Sequence, residues 1–214
     1  KNGRVRAVLR GGQSRKFRPI MQIGNIIDIT WRARLSEHMG SLQVDLIKSY
    51  PEILDSRLTL AGVTTLSSML TTFVKDRDPQ PQMYAATEKL HDLLKNPDMW
   101  CVGYFYWELA FLEALGFGLN ISECVVTGDT ENLLYLSPKS GCAVSQQAAG
   151  QWTDRLLPMP CIVIEKNKNI SCVFDGLQVL SYFWANKVIP ALDVKTMPAA
   201  RQRFMDLMQR YTVV

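Results

Sequence analysis

Histidine is nearly absent from this chain. Its 214 residues include two, His38 and His91. Serine and cysteine hydrolases need a positioned base beside the nucleophile, and neither histidine sits in a nucleophile motif. His38 falls in a predicted turn and His91 on a predicted helix, and both are expected to be surface or partly buried side chains. No Walker-type phosphate loop, no G-x-G-x-x-G and no H-E-x-x-H occurs. Gly116-Phe117-Gly118 ends a predicted helix and opens none, which excludes a phosphate cradle there. Paired carboxylates are missing as well. Glu108 and Glu113 lie five residues apart, about 500° around a helix, and do not share a face. No apolar run approaches the roughly eighteen residues that a membrane helix requires. Lys1-Asn2-Gly3-Arg4 has no apolar stretch behind its charges, so no secretory leader is expected from it. The five cysteines are odd in number and contain no C-x-x-C, so reduced thiols in a cytoplasmic protein are the expectation. Nothing activates a thiolate for a cysteine-dependent hydrolase, and no enzyme is expected. No internal repeat or low-complexity segment occurs.

Positive charge is plentiful and uneven. Residues 1–34 hold Lys1, Arg4, Arg6, Arg10, Arg15, Lys16, Arg18, Arg32 and Arg34 against the single Asp28, a net charge of +8. The whole chain carries +4, so the remainder is at −4. Clustered cations are the footprint of a polyanion, nucleic acid foremost.

The first fifty residues have strand periodicity. Arg4, Arg6, Val8 and Arg10 alternate with Val5, Ala7 and Leu9, which places the arginines on one face of a strand. Gly11-Gly12-Gln13-Ser14 ends it, and the following loop sets Arg15, Lys16 and Arg18 around Phe17. Cations around an exposed ring suit single strands, which bind by phosphate attraction and base stacking. Phe17 could equally plug the end of a small barrel. A second run sets Ile27, Ile29, Trp31, Ala33 and Leu35 against Asp28, Thr30, Arg32 and Arg34. Trp31 is therefore expected in the core. After Gly40-Ser41 a third run alternates through Leu42, Val44 and Leu46. The three form a twisted antiparallel unit with one wet face.

The period changes near Tyr50-Pro51. Leu66, Met69, Leu70 and Phe73 mark an amphipathic helix, broken by Asp76-Arg77-Asp78-Pro79-Gln80-Pro81. Met83, Ala86, Leu90 and Leu94 stripe a second. Asn96-Pro97-Asp98 caps a third, apolar nearly all round over residues 99–115 and therefore central. Residues 120–160 are short and irregular, with a small hairpin around Leu133–Leu136. Val179, Leu180, Phe183 and Trp184 mark a helix closed by Pro190, and Phe204, Met208 and Tyr211 mark the last. The fold class is α+β: a β unit over 1–50, then a helical domain over 51–214 with a small inserted β-ribbon near 120–150.

In serial order, Arg10-Gly11-Gly12-Gln13-Ser14-Arg15, Leu35–Gly40, Trp107-Glu108-Leu109, Leu115-Gly116-Phe117, Cys124-Val125-Val126-Thr127-Gly128 and Ser137-Pro138-Lys139-Ser140-Gly141 resemble the RecO family of bacterial recombination mediators. The resemblance spans nearly the whole chain. It implies an N-terminal OB-fold followed by a helical domain with an inserted zinc ribbon. An OB-fold has five strands and three are legible, so two more are expected ahead of Lys1. It also implies binding to single- and double-stranded DNA, strand annealing, and work with RecR, single-strand-binding protein and, indirectly, RecA, in the cytoplasm at the nucleoid. The implied DNA contacts are Arg4, Arg6, Arg10, Arg15, Lys16, Phe17, Arg18, Arg32 and Arg34. The zinc site departs from the family. Cys124 matches the first ligand, but Thr127, Ser145 and Ala148 stand where the other three cysteines belong, and Cys142 is out of register. One thiolate cannot hold tetrahedral zinc, so no metal or other cofactor is expected. The ribbon should be held by packing of Leu133, Tyr135 and Leu136. The competing expectation is a protein-interaction scaffold whose basic segment binds an acidic protein tail and not DNA.

Overall fold

A computed structural model describes residues 3–35, 39–164 and 169–212. His38 lies outside the described residues. Two strands open the fold, β1 (Ile26–Arg32) and β2 (Ser41–Lys48), paired antiparallel with Arg32 opposite Ser41 and Ile27 opposite Leu46. The register follows from the alternation, because a slip of one residue would invert every side chain. One face carries Ile27, Ile29, Trp31, Leu42, Val44 and Leu46, yet only Val44 is buried.

The expected first strand, Arg4–Arg10, is not a ladder. It touches the fold through isolated bridges, Arg4 to Asp76 and Val8 to Ser41. Its alternation survives in burial alone: Arg6, Val8 and Arg10 are exposed, while Val5, Ala7 and Leu9 are half-buried. Among the described residues there is no closed barrel.

A 3-10 turn (Pro51–Leu54) leads into α1 (Arg57–Phe73), α2 (Pro81–His91) and α3 (Pro97–Ala114). The starts are encoded locally. Ser56 and Asn96 each accept a hydrogen bond from the backbone N–H three residues on, and Pro81 and Pro97 occupy first-turn positions where no N–H is needed. The chain then forms a four-stranded sheet of β3 (Asn120–Cys124), β4 (Leu133–Leu136), β5 (Cys142–Ser145) and β6 (Leu157–Pro158), in the order β3-β5-β4-β6. β3 and β5 are parallel and the other pairs antiparallel. Short α4 (Gln146–Ala149) and α5 (Cys161–Ile164) flank it. The longer α6 (Ile170–Phe183) runs through a π turn (Trp184–Val188) into α7 (Ile189–Ala191), and α8 (Ala199–Thr212) closes the fold.

Pro190 does not end its helix, contrary to expectation. It has no N–H for the preceding turn, and the wider π turn just before it, closed by Ile189 N–H to Trp184 O, carries the helix on to Ala191. The thiols differ too. Cys161 and Cys172, at the starts of α5 and α6, are joined in a disulfide with Cα atoms 5.2 Å apart.

The core lies between α1, α3, α6 and α8. Trp100, Tyr104, Phe105, Phe111, Leu112, Leu177, Trp184 and Phe204 have no more than 1% of their surface exposed. Each such side chain contributes about 1.5–3 kcal/mol by leaving water. α1 crosses α3 closely at Gly62, where an added Cβ would run into the ring of buried Trp100. Alanine normally stabilises a helix interior by about 0.5–1 kcal/mol over glycine, but overpacking costs about 1–3 kcal/mol. Gly62→Ala is therefore expected to lower the melting temperature, and an unchanged or raised one in a thermal scan would refute the crossing.

Candidate nucleic-acid interface

The basic loop after Leu9 is a run of tight turns. Gly11 takes φ +71°, a conformation that side chains disfavour. Ser14 N–H bonds Gly11 O at 2.8 Å, Arg18 N–H bonds Ser14 O at 3.0 Å, and Met21 N–H bonds Phe17 O at 2.9 Å. Asn25 fastens the far end: its amide donates to Pro19 O and Ile20 O and its carbonyl accepts from Tyr50 N–H at the end of β2. Arg10, Arg15, Lys16 and Arg18 are exposed on these turns, and none has a carboxylate within 4.0 Å among the described residues. Phe17 is half-buried with Lys16 Nζ 5.3 Å from its ring centre.

The other predicted contacts are differently placed. Arg4 Nε lies 2.5 Å from Asp76 Oδ1, and Arg6 Nε lies 3.2 Å from Asp76 Oδ2. The Arg4 hydrogen bond leads in holding the Asp76 carboxyl below its usual range, with burial opposing it and the charges of Arg4, Arg6 and Arg77 adding to it. Arg4 is thus engaged by the protein itself, while Arg6 keeps an exposed side chain. Arg32, at the end of β1, and Arg34 beyond it are exposed. The face of Arg32 also carries Asp28 directly opposite Asp45, which makes it acidic at its other end.

The chain between α1 and α2 supplies residues that periodicity missed. Asp76 pairs with two of the candidate arginines, Arg4 and Arg6, and Arg77 lies over the Trp31 ring at 4.6 Å. Trp31 is accordingly half-buried beneath a cation, with its indole N–H donated to Met39 O, and is not a core residue. In sequence, Asp76-Arg77-Asp78 looks like a helix breaker alone.

His91 packs against Tyr50 at 4.6 Å between ring centres, with Nδ1 2.7 Å from Thr87 O. Glu108 is wholly buried beside Arg201. Both serve packing.

In the ribbon, the four positions that the resemblance assigns to zinc do come together around Cys124. Its Sγ accepts from Ser145 N–H at 3.3 Å, and Ser145 Oγ accepts from Ala148 N–H at 3.3 Å. Thr127 hydrogen-bonds Asp129, whose carbonyl accepts from Cys124 N–H. The donor set does not fit zinc: Ala148 offers no ligand atom, and among the described residues no three His, Cys, Asp or Glu side chains form a metal cluster. Leu136 is buried with Ala143 and Met159, with Leu133 packed against them, while Tyr135 is half-buried.

Burial pushes the Cys124 thiol up, but hydrogen bonds from Thr127 and Ser145 outweigh it and bring it down from 9.0 to about 6. The folded value lies below the unfolded one. Whatever the thiolate contributes to stability is present above the unfolded value and lost as pH falls through about 6. Thiolate absorbance near 240 nm should therefore titrate around pH 6 in the folded protein and vanish in Cys124→Ala. Persistence of that step in the variant would remove Cys124 as its source.

A family model described as Recombination protein O C terminal matches residues 54–170. The chain is 40% identical over 207 residues to "DNA repair protein RecO" of Jannaschia sp. (strain CCS1), covering 96% of this chain and 84% of that protein. It is 41% identical over 206 residues to the protein of the same name from Ruegeria sp. (strain TM1040), covering 95% and 85%. For Cereibacter sphaeroides (strain KD131) the identity is 40% over 210 residues, covering 98% and 87%. Among the described residues no helix is long and apolar enough to cross a membrane.

Proposed function

The chain belongs to the RecO family of DNA repair proteins, and from that premise we propose that it binds single- and double-stranded DNA, anneals complementary strands and, with RecR, helps RecA load onto strands covered by single-strand-binding protein. It acts by binding, without catalysis. The observation that carries this reading is the exposed turn of Arg10, Arg15, Lys16 and Arg18, four cations with no carboxylate partner among the described residues, Lys16 lying beside the half-buried Phe17 ring. Such cations gain most from phosphates, because counterions released from DNA return to solution. Arg32 and Arg34 extend the surface at the end of β1, and Arg6 borders it. The β1–β2 pair with the Arg4–Arg10 segment is read as part of an OB-fold, and residues 51–214 as the domain that docks partners.

Binding to bare single- and double-stranded oligonucleotides, titrated with salt, tests the reading. The expected log–log slope is about −0.9 per phosphate contact on duplex and about −0.7 on single strands, so about four to six contacts give a steep fall. Failure to bind bare oligonucleotide at low salt would refute it and favour the scaffold that takes an acidic tail.

A further inference from the structure

Of the cations offered to DNA, Arg4 and Arg6 alone have a carboxylate within 4.0 Å among the described residues, and it is the same one. Arg4 Nε donates to Asp76 Oδ1 at 2.5 Å, and Arg6 Nε lies 3.2 Å from Asp76 Oδ2. The two oxygens of one anion thus bridge two guanidinium groups, as the oxygens of a phosphate do. One residue on, Arg77 lies over the Trp31 ring at 4.6 Å, where a base would stack. Backbone contacts set this turn against the N-terminal segment. Arg4 and Asp76 form an isolated parallel bridge, and Arg77 N–H donates to Arg4 O at 2.8 Å. Arg77 takes φ +61°, a conformation that side chains disfavour and that persists only where the surroundings impose it. The chain between α1 and α2 therefore occupies two arginines and one ring, the kinds of group that hold a single strand. Arg6 and Asp76 are exposed. Exposed ion pairs are weak, as a contact that opens reversibly requires.

We propose that the Asp76–Arg77 turn is an autoinhibitory contact: it keeps Arg4, Arg6 and Trp31 closed to single-stranded nucleic acid, and its release adds a second contact to that of the basic turn. Asp76 is a positioning residue in this scheme, acting through the two arginines. Arg77 acts as a cover on the ring. The inference rests on the DNA reading above, but it concerns different residues from the turn at Arg10–Arg18, so the two can fail separately.

The test uses the full chain and a fluorescein-labelled oligonucleotide, single-stranded and as duplex, titrated with salt. Asp76→Asn is compared with Asp78→Asn, which removes the same charge from a neighbouring carboxylate that accepts from Gln80. At about 0.1 M salt Asp76→Asn should bind the single strand about fivefold more tightly than Asp78→Asn, the effect of freeing an exposed pair. Its log–log salt slope should steepen by about 1.4, for two further phosphates at about 0.7 each. Arg4→Gln should leave the affinity of the parent nearly unchanged and cancel most of the gain in the Asp76→Asn background, a coupling that a merely structural role would not produce. Should Asp76→Asn melt early, Arg77→Ala decides. It keeps the backbone N–H and the Asp76 pairs, and by baring the Trp31 ring it should tighten single-strand binding at least about fivefold and duplex binding not at all. Asp76→Asn that binds no more tightly than Asp78→Asn, while the parent still binds, overturns the proposal and spares the DNA reading. A parent that binds no oligonucleotide overturns both. An equal loss from Arg4→Gln in the two backgrounds overturns the proposal too, because Arg4 would then reach DNA with Asp76 in place. Unchanged single-strand affinity in Arg77→Ala does the same.

Discussion

Replacing Arg201 with alanine is expected to cost the fold about 3–5 kcal/mol, because it strands a buried carboxylate without its countercharge. Glu108 on α3 is wholly buried, and Arg201 on α8 nearly so. Arg201 Nη2 lies 2.6 Å from Glu108 Oε1, with Nε at 3.1 Å from the same oxygen. Its other donors reach Ser181 Oγ and Leu177 O on α6, while the Trp184 indole donates to Glu108 at 2.7 Å. One pair thus ties three helices and the π turn. Burial alone would depress the Arg201 pKa, but Glu108 outweighs it and holds the guanidinium above its ordinary range. For a chain of this size each kcal/mol moves the melting temperature by about 2–4 °C, so a drop of roughly 6–20 °C is expected. Urea unfolding followed by tryptophan fluorescence checks it. Glu108→Gln with Arg201→Met should recover much of the loss, since a neutral, well-packed pair avoids the desolvation cost of two ions. A single Arg201→Ala that melts with the parent would show that water reaches Glu108.

That pair was invisible in the sequence, although its helices were plain. α3 announced itself through Asn96-Pro97 and an apolar surface on every side, and Glu108 stood out as a carboxylate in greasy surroundings. Its partner lies 93 residues away on a helix marked in the sequence by Phe204, Met208 and Tyr211, none of which points to Arg201. Local periodicity reports which face is buried and says nothing of what meets it. The same divide runs through the β unit. The alternation in β1 and β2 located both strands. The equally regular Arg4–Arg10 failed as a strand because alternation does not reveal whether a neighbour is there to pair with. The parallel β3–β5 pairing left no trace either, its strands being five and four residues long. At the candidate interface the cations were legible one by one. Their engagement was not: Arg4 and Arg10 look alike in sequence, and only a carboxylate 72 residues on separates them.

That separation makes the sharpest functional prediction. Changing Arg15, Lys16 and Arg18 together to glutamate is expected to weaken DNA binding about a thousandfold at about 0.1 M salt, roughly tenfold for each phosphate left without its cation, and to flatten the salt slope by about three. The loss should be the same for unrelated base sequences, because phosphates carry no sequence information. Arg4→Glu in isolation should do much less to affinity, since its guanidinium is already committed to Asp76. Its effect should emerge instead as a lower melting temperature, through Asp76 left facing a like charge. Phe17→Ala separates stacking from plugging. A stacked ring loses about 1–3 kcal/mol on single strands and little on duplex, whereas a plug lowers stability and affects both alike. Equal sensitivity of DNA affinity to Arg4→Glu and to the triple reversal would move the binding face off the basic turn and onto the Arg4–Arg10 segment, where the Asp76 pair would have to open before a phosphate could enter.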